Sequence, residues 1–426
     1  MTKLKRLPKD LRDILDQISA LAAKEGLRVY LVGGLVRDLI LGRDIFDLDI
    51  VVESDAIAFA QKFAAGANGE FGRHHVFGTA WVKTAGHKLD FATARKEIYS
   101  HPGALPKVSP SRLSDDLFRR DFTINAMAVS INQDDYGRLL DMNAGRSDLK
   151  TGSLRVLHDK SFIDDPTRIM RAVRFQTRFG FKLQERSAFL LKSALKQNAL
   201  SWVNPHRLRD ELILMLQEPD PPVCMKALAS FKIWTTLDPG LKVGASQIAL
   251  AEQARKAMAD YERRHLRHRR LDSWLLYFGA ATWGLSQERL SALCDRLGLK
   301  KGEKIRLVSL RQASRRLNRL GQSLKPHQIY DILNPLSFET IVFLRALSPR
   351  GKARDNIERF FKRLAHVRLK VTGDDLKKLG LEPSRQYSRI FKILLRRKLD
   401  QGWTSKTQEM NALKACLPAG RPAGRF

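Results

Sequence analysis

The feature that most limits what this chain can fold into is a change of hydrophobic period near Gly145. Upstream, short apolar runs of strand length alternate with helical segments. Residues 29–32 (VYLV) close on Gly33-Gly34, residues 47–52 (DLDIVV) alternate acid and apolar side chains, and residues 81–83 and 88–93 flank a turn at Ala85-Gly86. Residues 7–26 carry Leu11, Ile14, Leu15, Ile18, Leu21 and Ala22 at helical spacing, with Gly26 as the stop. Residues 35–41 and 56–65 also suit helices. Residues 95–115 hold three prolines and a glycine and read as a long loop. Residues 122–131 and 139–142 read as strand or short helix. After Thr167 the pattern has the helical period throughout, broken only by Gly, Pro and Asn. The expected architecture is an α+β N-terminal head, a mixed sheet with helices, followed by an all-α neck, body and tail. The boundaries read as 1–145 for the head, 146–225 for the neck, 226–365 for the body and 366–426 for the tail. The last stretch, 418–426, is low in complexity.

Charge divides at the same place. Residues 1–145 carry 20 basic and 19 acidic side chains, whereas residues 146–426 carry 56 and 26. Almost all of the +31 excess therefore lies in the helical part. A whole basic module of this kind fits a polyanion lying along it better than it fits a set of solvated helix faces. The three cysteines, Cys224, Cys294 and Cys416, are far apart, so neither a CxxC metal knuckle nor a disulfide framework is expected. The basic N-terminus has no apolar segment behind it, and the longest apolar run, around residues 274–285, is too short to span a bilayer. The expectation is a cytoplasmic protein with no membrane association.

Asp47 and Asp49 flank Leu48 on one predicted strand, so both carboxylates project from the same face. Like charges that close are costly unless a cation lies between them. Mg²⁺ clamping a hydroxyl and a nucleoside triphosphate would use such a pair, with Asp90 on a neighbouring strand as a possible third ligand. Upstream, Gly33-Gly34-Leu35-Val36-Arg37-Asp38 forms a glycine turn into a helix, where backbone N–H groups can approach phosphates. A glycine pair followed by DxD on a strand resembles the nucleotidyltransferase superfamily that includes DNA polymerase β.

The resemblance sharpens at Arg119-Arg120-Asp121-Phe122-Thr123-Ile124-Asn125-Ala126. With the glycine turn and DLD, this string is similar to the class II tRNA nucleotidyltransferase and bacterial poly(A) polymerase family. The resemblance implies that Gly33, Gly34, Arg37, Arg119, Arg120, Asp121 and Asn125 bind triphosphate and ribose. Arginine pairs suit phosphate oxygens, while Asp121 and Asn125 suit ribose hydroxyls. Asp164-Asp165-Pro166-Thr167-Arg168 resembles the family's base-reading motif, with Asp164 in place of Glu. A carboxylate at Asp165 beside a guanidinium at Arg168 complements the amino group and ring nitrogen of both cytosine and adenine. Guanine and uracil present the opposite order and leave buried groups unpaired. The plainer alternative is that Asp165 only caps the helix that Pro166 begins. Asp141, Gly145, Asp148, Leu149, Leu154 and Arg155 resemble the segment that joins head to neck. Arg207 and Glu211, in a later motif, are spaced to pair with each other.

The implied function is template-independent addition of C and/or A from CTP and ATP to tRNA 3′ ends. Mg²⁺ is the implied cofactor, and the basic helical part would hold the acceptor and TΨC arms. The length of residues 95–115 argues against CC-only addition and leaves full CCA and A-only addition open. A poly(A) polymerase would share the head motifs, but the stretch Gly72-Arg73-His74-His75 lacks the second arginine and the following phenylalanine that the bacterial enzymes carry. A noncatalytic RNA-binding protein on a relic head conflicts with intact Asp47, Asp49, Asp165 and Arg168. A small-molecule nucleotidyltransferase would have no use for so basic a body.

Overall fold

The computed structural model describes residues 4–43, 48–265 and 269–416, and within these the chain forms two compact units, Met1–Asp220 and Pro221–Phe426. Asp47 and the low-complexity stretch 418–426 lie outside the described residues.

The first unit begins with α1 (Lys9–Glu25), which buries Leu11, Ile14, Leu15, Ile18 and Ala22 along one face and ends at a left-handed Gly26. Strand β1 (Val29–Val32) is buried throughout and runs through Gly33 into α2 (Gly34–Leu41). Strand β2 (Leu48–Val52) follows, then α3 (Ala56–Gly66), capped by the Asp55 carboxylate on the Ile57 and Ala58 amides. Strands β3 (Glu70–His74), β4 (Thr79–Thr84) and β5 (His87–Thr93) form a meander. A two-stranded ribbon, β6 (Arg95–Ile98) and β7 (Lys107–Pro110), leads to α4 (Leu113–Phe118). Strands β8 (Ala128–Ser130) and β9 (Leu139–Leu140) complete a seven-stranded sheet in the order β3-β4-β5-β2-β1-β8-β9. Only β2 and β5 run parallel, so the sheet is mixed as expected.

The two faces of the sheet have separate roles. On one, Phe91 of β5 meets Phe59 and Phe63 of α3 at ring distances of 6.0 Å. On the other, Tyr30, Val32 and Val51 pack with Leu113 and Leu117 of α4. Asp49 alternates out of line with buried Leu48 and Ile50 and so belongs to the α4 face. Helix α4 thus sits over the carboxylate strand and delivers Arg119 and Arg120 at its C-terminal end.

Residues 95–115 are therefore not a loop. No residue of β6 is buried and three of its four are charged, so it carries no apolar signal, and α4 is too short for its period to be visible. Pairing of β6 with β7 and packing of α4 on the sheet supply what the local pattern lacks. Strand β3 was likewise not legible: its five residues include a glycine and no residue of it is buried.

The helical part of the first unit runs through α5 (Gly145–Thr151), α6 (Ser161–Asp164), α7 (Thr167–Phe179), α8 (Glu185–Lys196) and α9 (Pro205–Met215). One small departure from an all-helical reading is the parallel pairing of residues Ser153–Leu154 with Lys182–Leu183. In the second unit the apolar segment Ser273–Ala281 is a central helix in which every residue from Trp274 to Ala281 is buried. Among the described residues no helix is long and apolar enough to cross a membrane.

Leu117 is fully buried where α4 meets the sheet. Leu117→Ala should cost about 2–5 kcal/mol of stability, read as a lower denaturant midpoint with an unchanged slope.

Candidate active site

Five parts of the first unit line one cavity of about 460 Å³. The β1–α2 turn contributes Gly33, Gly34 and Arg37, and β2 contributes Asp49. The ribbon contributes Arg95 and Glu97, with Tyr99 just beyond it. The segment after α4 contributes Arg119, Arg120, Asp121 and Asn125. Asp165, Arg168, Arg171 and Arg207 come from the helical part. Seven arginines and four carboxylates thus face one another there, an excess of positive charge suited to a polyphosphate. Every described residue expected to touch triphosphate, ribose or base is among them. Asp90 is not. It lies beside Asp49 in register, but Lys88 Nζ holds its carboxylate at 2.8 and 2.6 Å.

Gly33 has φ +70° and ψ −133°, a conformation essentially closed to side chains with a Cβ. A Cβ there would lie 2.7 Å from Arg120 Nη1, so the turn lets a guanidinium press against bare backbone. Arg120 cannot swing away, because Asp116 anchors it. This carboxylate, fully buried, accepts from Arg119 (Nε 3.0 Å, Nη2 2.7 Å) and from Arg120 (Nε 3.3 Å, Nη2 2.8 Å). Burial alone would raise the Asp116 pKa, but Arg120 and Arg119 outweigh it and hold it below the usual range. Glu97 takes a further Arg119 hydrogen bond at 2.8 Å and accepts from the Tyr99 hydroxyl at 2.9 Å. The two arginines thus enter the site with fixed orientation and with N–H groups to spare.

Asp121 and Asn125 are oriented from within the protein as well. Asp121 Oδ1 accepts from the Phe122 amide (2.8 Å) and Asn125 Nδ2 (2.9 Å). Its Oδ2 accepts from Arg171 Nε (2.8 Å) and Nη2 (2.6 Å). Asn125 Oδ1 accepts from Arg37 Nη1 at 2.7 Å, and Arg37 is braced by Asp38 and by the Phe179 ring, 4.8 Å away. Desolvation opposes the charge on Asp121, yet Arg171 and Asn125 bring its pKa down to about 2. Arg171 also donates to Glu211 at 3.0 Å, and Glu211 pairs with Arg174 at 3.2 Å. The expected Arg207–Glu211 pair is absent: Glu211 faces α7, and Arg207 Nη2 donates to Asp165 Oδ1 at 2.8 Å. Tertiary partners of opposite charge displace the weak exposed i,i+4 contact.

Asp165 makes the local contact of a helix cap and also reaches the cavity. Its Oδ1 accepts from the Thr167 amide at 3.1 Å and Oγ1 at 2.6 Å, a capping contact at the start of α7, and the side chain also lines the cavity. Arg168, one turn on, is buried and doubly held: Nη1 donates to Ser161 Oγ and Nη2 to the Arg119 carbonyl, both at 2.7 Å.

Sequence reasoning missed Glu97, Tyr99, Asp116, Arg171 and Arg207 as parts of this site. For Arg171 a signal existed: Arg168, Arg171, Arg174 and Arg178 recur at helical spacing, an arginine stripe on α7 that a surface helix would not need. Asp116, Glu97 and Tyr99 have no local signature.

Residues 29–155 match a family model described as the poly A polymerase head domain. An A-adding tRNA nucleotidyltransferase of Halalkalibacterium halodurans is 34% identical, covering 89% of this chain and 86% of that protein. An enzyme of the same name from Geobacter sulfurreducens is 32% identical over 95% of this chain but 47% of its own length. For the one from Aquifex aeolicus the figures are 34%, 86% and 44%. The chain thus spans about half the length of these last two curated relatives. Among solved structures, a CCA-adding enzyme in its apo form II matches with a TM-score of 0.77, 29% identity and 97% coverage of both chains. The Thermotoga maritima CCA-adding enzyme complexed with tRNA matches with 0.73, 29% and 98% of each.

The Asp121 pKa gives a pH signature. A carboxylate lowered from 3.8 to about 2 stabilises the fold above pH 4, and that contribution is lost as pH falls toward 2. Melting measured from pH 7 down to pH 3 should be nearly flat until about pH 4 and then drop. Asp121→Asn should remove about 1 kcal/mol of the acid sensitivity seen over this range.

Proposed function

The chain belongs to the class II tRNA nucleotidyltransferase family, and from that premise we propose that it transfers adenylate from ATP to tRNA 3′ ends that already terminate in CC. The observation that carries this reading is the shared cavity: a carboxylate–guanidinium pair, Asp165 and Arg168, stands in the same space as the glycine turn, Asp49 and the anchored Arg119 and Arg120. Base, phosphates and reacting hydroxyl can then be held at once, without a nucleic acid template. The A-adding relatives, one of which this chain covers across 86% of its length, favour A-only addition over the full CCA sequence.

In this reading Arg119, Arg120 and the backbone at Gly33-Gly34 bind the triphosphate, and Asn125 with Asp121 faces the ribose. Asp165 accepts the adenine amino hydrogen, and Arg168 donates to the ring nitrogen beside it. Transfer proceeds by in-line attack of the tRNA 3′-hydroxyl on the α-phosphorus with release of pyrophosphate, catalysed mainly by positioning and charge neutralisation. Among the described residues no three acidic, histidine or cysteine side chains gather as a metal cage. Mg²⁺ needs only one or two carboxylates when substrate phosphates supply the remaining oxygens, so exposed Asp49 in the cavity wall suits it, and Asp47, two residues earlier in sequence, would be the second. When bound there, the ion would polarise the attacking hydroxyl and the phosphates. The basic residues of 146–426 hold tRNA through its backbone and shape, as A-form grooves hide base edges. The neck would carry base recognition, the body and tail RNA binding. A tRNA-maturing role puts the enzyme in the cytoplasm.

Incubating the protein with tRNA lacking CCA, ending in C, or ending in CC, and with each triphosphate, tests the proposal. The expected product is one adenylate added to the CC-ending tRNA alone. Cytidylate addition to the shorter forms would instead identify a full CCA enzyme, and the absence of any transfer would refute the activity. Asp165→Ala should lower discrimination against UTP and GTP by roughly tenfold, the effect of one unmatched hydrogen bond. The lost cap should also cost about 1 kcal/mol, read by melting. tRNA affinity should fall on the order of 10³-fold over a few-fold rise in salt.

A further inference from the structure

We propose that Arg207 is a positioning residue for base choice, fixing which oxygen of Asp165 is presented to the incoming base; this inference rests on the transfer reading above. Arg207 stands in the first turn of α9, whose start is set by Pro205 and by the Asn204 side chain on the His206 amide at 2.9 Å. From there its guanidinium reaches two groups distant in sequence. Nη2 donates to Asp165 Oδ1 at 2.8 Å and Nη1 to the Gly103 carbonyl at 3.3 Å. Gly103, in the turn between β6 and β7, donates its own amide to the Asp164 carbonyl at 3.3 Å. Its φ is +74°, and a Cβ on it would lie 2.8 Å from the Trp202 carbonyl oxygen. The ribbon turn, the base-reading segment and α9 therefore meet at one guanidinium.

The consequence for Asp165 is an asymmetry. Oδ1 carries three donors, from the Thr167 amide, the Thr167 hydroxyl and Arg207. Oδ2 has none among the described residues. With one oxygen saturated the carboxylate torsion is set, and Oδ2 is the acceptor left for an exocyclic amino group. Without Arg207 only the two local donors of Thr167 restrain the carboxylate, in a cavity that also holds Arg168 and Arg171. A swing toward either cation consumes the acceptor meant for the base, and toward Arg168 the donor as well.

Arg207 is not needed to hold its own helix. Helix α9 is anchored by buried Leu208, Leu212 and Met215, and by Glu211 against Arg171 and Arg174. A variant at Arg207 can therefore separate base choice from folding.

The experiment uses the full chain with CC-ending tRNA and measures kcat and KM for ATP and GTP, with equilibrium binding of both nucleotides and melting in parallel. In Arg207→Ala the KM for ATP should rise and the preference for ATP over GTP fall roughly tenfold, with kcat for ATP changed much less. Arg207→Lys, whose ammonium can still reach Asp165, should recover much of the preference. Should Arg207→Ala not fold, Arg207→Gln, which keeps one donor, should show an intermediate loss. An unmodified chain that discriminates, with variants that discriminate equally well, overturns this inference alone, whatever happens to melting. An unmodified chain that treats ATP and GTP alike, or transfers neither, overturns the transfer reading and this inference with it.

Discussion

The first unit depends on the ion pair between Asp121 and Arg171. Asp121 belongs to the segment that leaves α4 for the sheet, and Arg171 belongs to α7. Their two hydrogen bonds join the sheet to the helical part of the unit at a partly buried point. A buried charge without its partner is strongly destabilising, so losing Arg171 would strand the buried Asp121, whereas Arg171, about a third exposed (31%), would keep Glu211. The pair is also the middle of a longer series. Arg37 holds Asn125, Asn125 holds Asp121, and Arg171 passes to Glu211, which meets Arg174, which meets Glu218 at 3.5 Å. The phenyl ring of Phe175 lies beneath three of these guanidinium groups, Arg37, Arg171 and Arg174, at 5.6, 5.5 and 5.0 Å. Most of the polar groups in this series are thus paired before any ligand arrives, an arrangement in which little reorganisation is left for the moment of reaction.

Much of this was legible in the sequence, for identifiable reasons. The glycine turn, the DxD strand and the segment from Arg119 to Asn125 each join a backbone requirement to a chemical one, so few substitutes would serve. The mixed sheet and the helical remainder followed from hydrophobic period. Apart from the arginine stripe of α7, what escaped notice lacks local pattern. The β6–β7 ribbon alternates charges whose partners lie elsewhere, Glu97 with Arg119 for example. Asp116 looks like any acid on a short helix until two arginines are seen to close on it. Arg207 and Glu211 show the opposite failure: their spacing suggested a mutual pair, and stronger partners across the unit took both. A one-dimensional pattern reports which residues share a face, but not which distant group competes for them.

One contact joins two tasks that the sequence presents as separate motifs. Arg168, the proposed base reader, gives one of its amino groups to the carbonyl oxygen of Arg119, the proposed phosphate ligand. The peptide of Arg119 is thereby part of the seat of the Arg168 guanidinium. A base that draws Arg168 out of register would pull on that peptide and shift the guanidinium at the other end of the substrate. Fidelity in such an arrangement is not confined to how tightly a wrong nucleotide docks. A mismatched base would also reach the reaction with its triphosphate out of line, so selection would act twice on one nucleotide: once at entry and again at the chemical step.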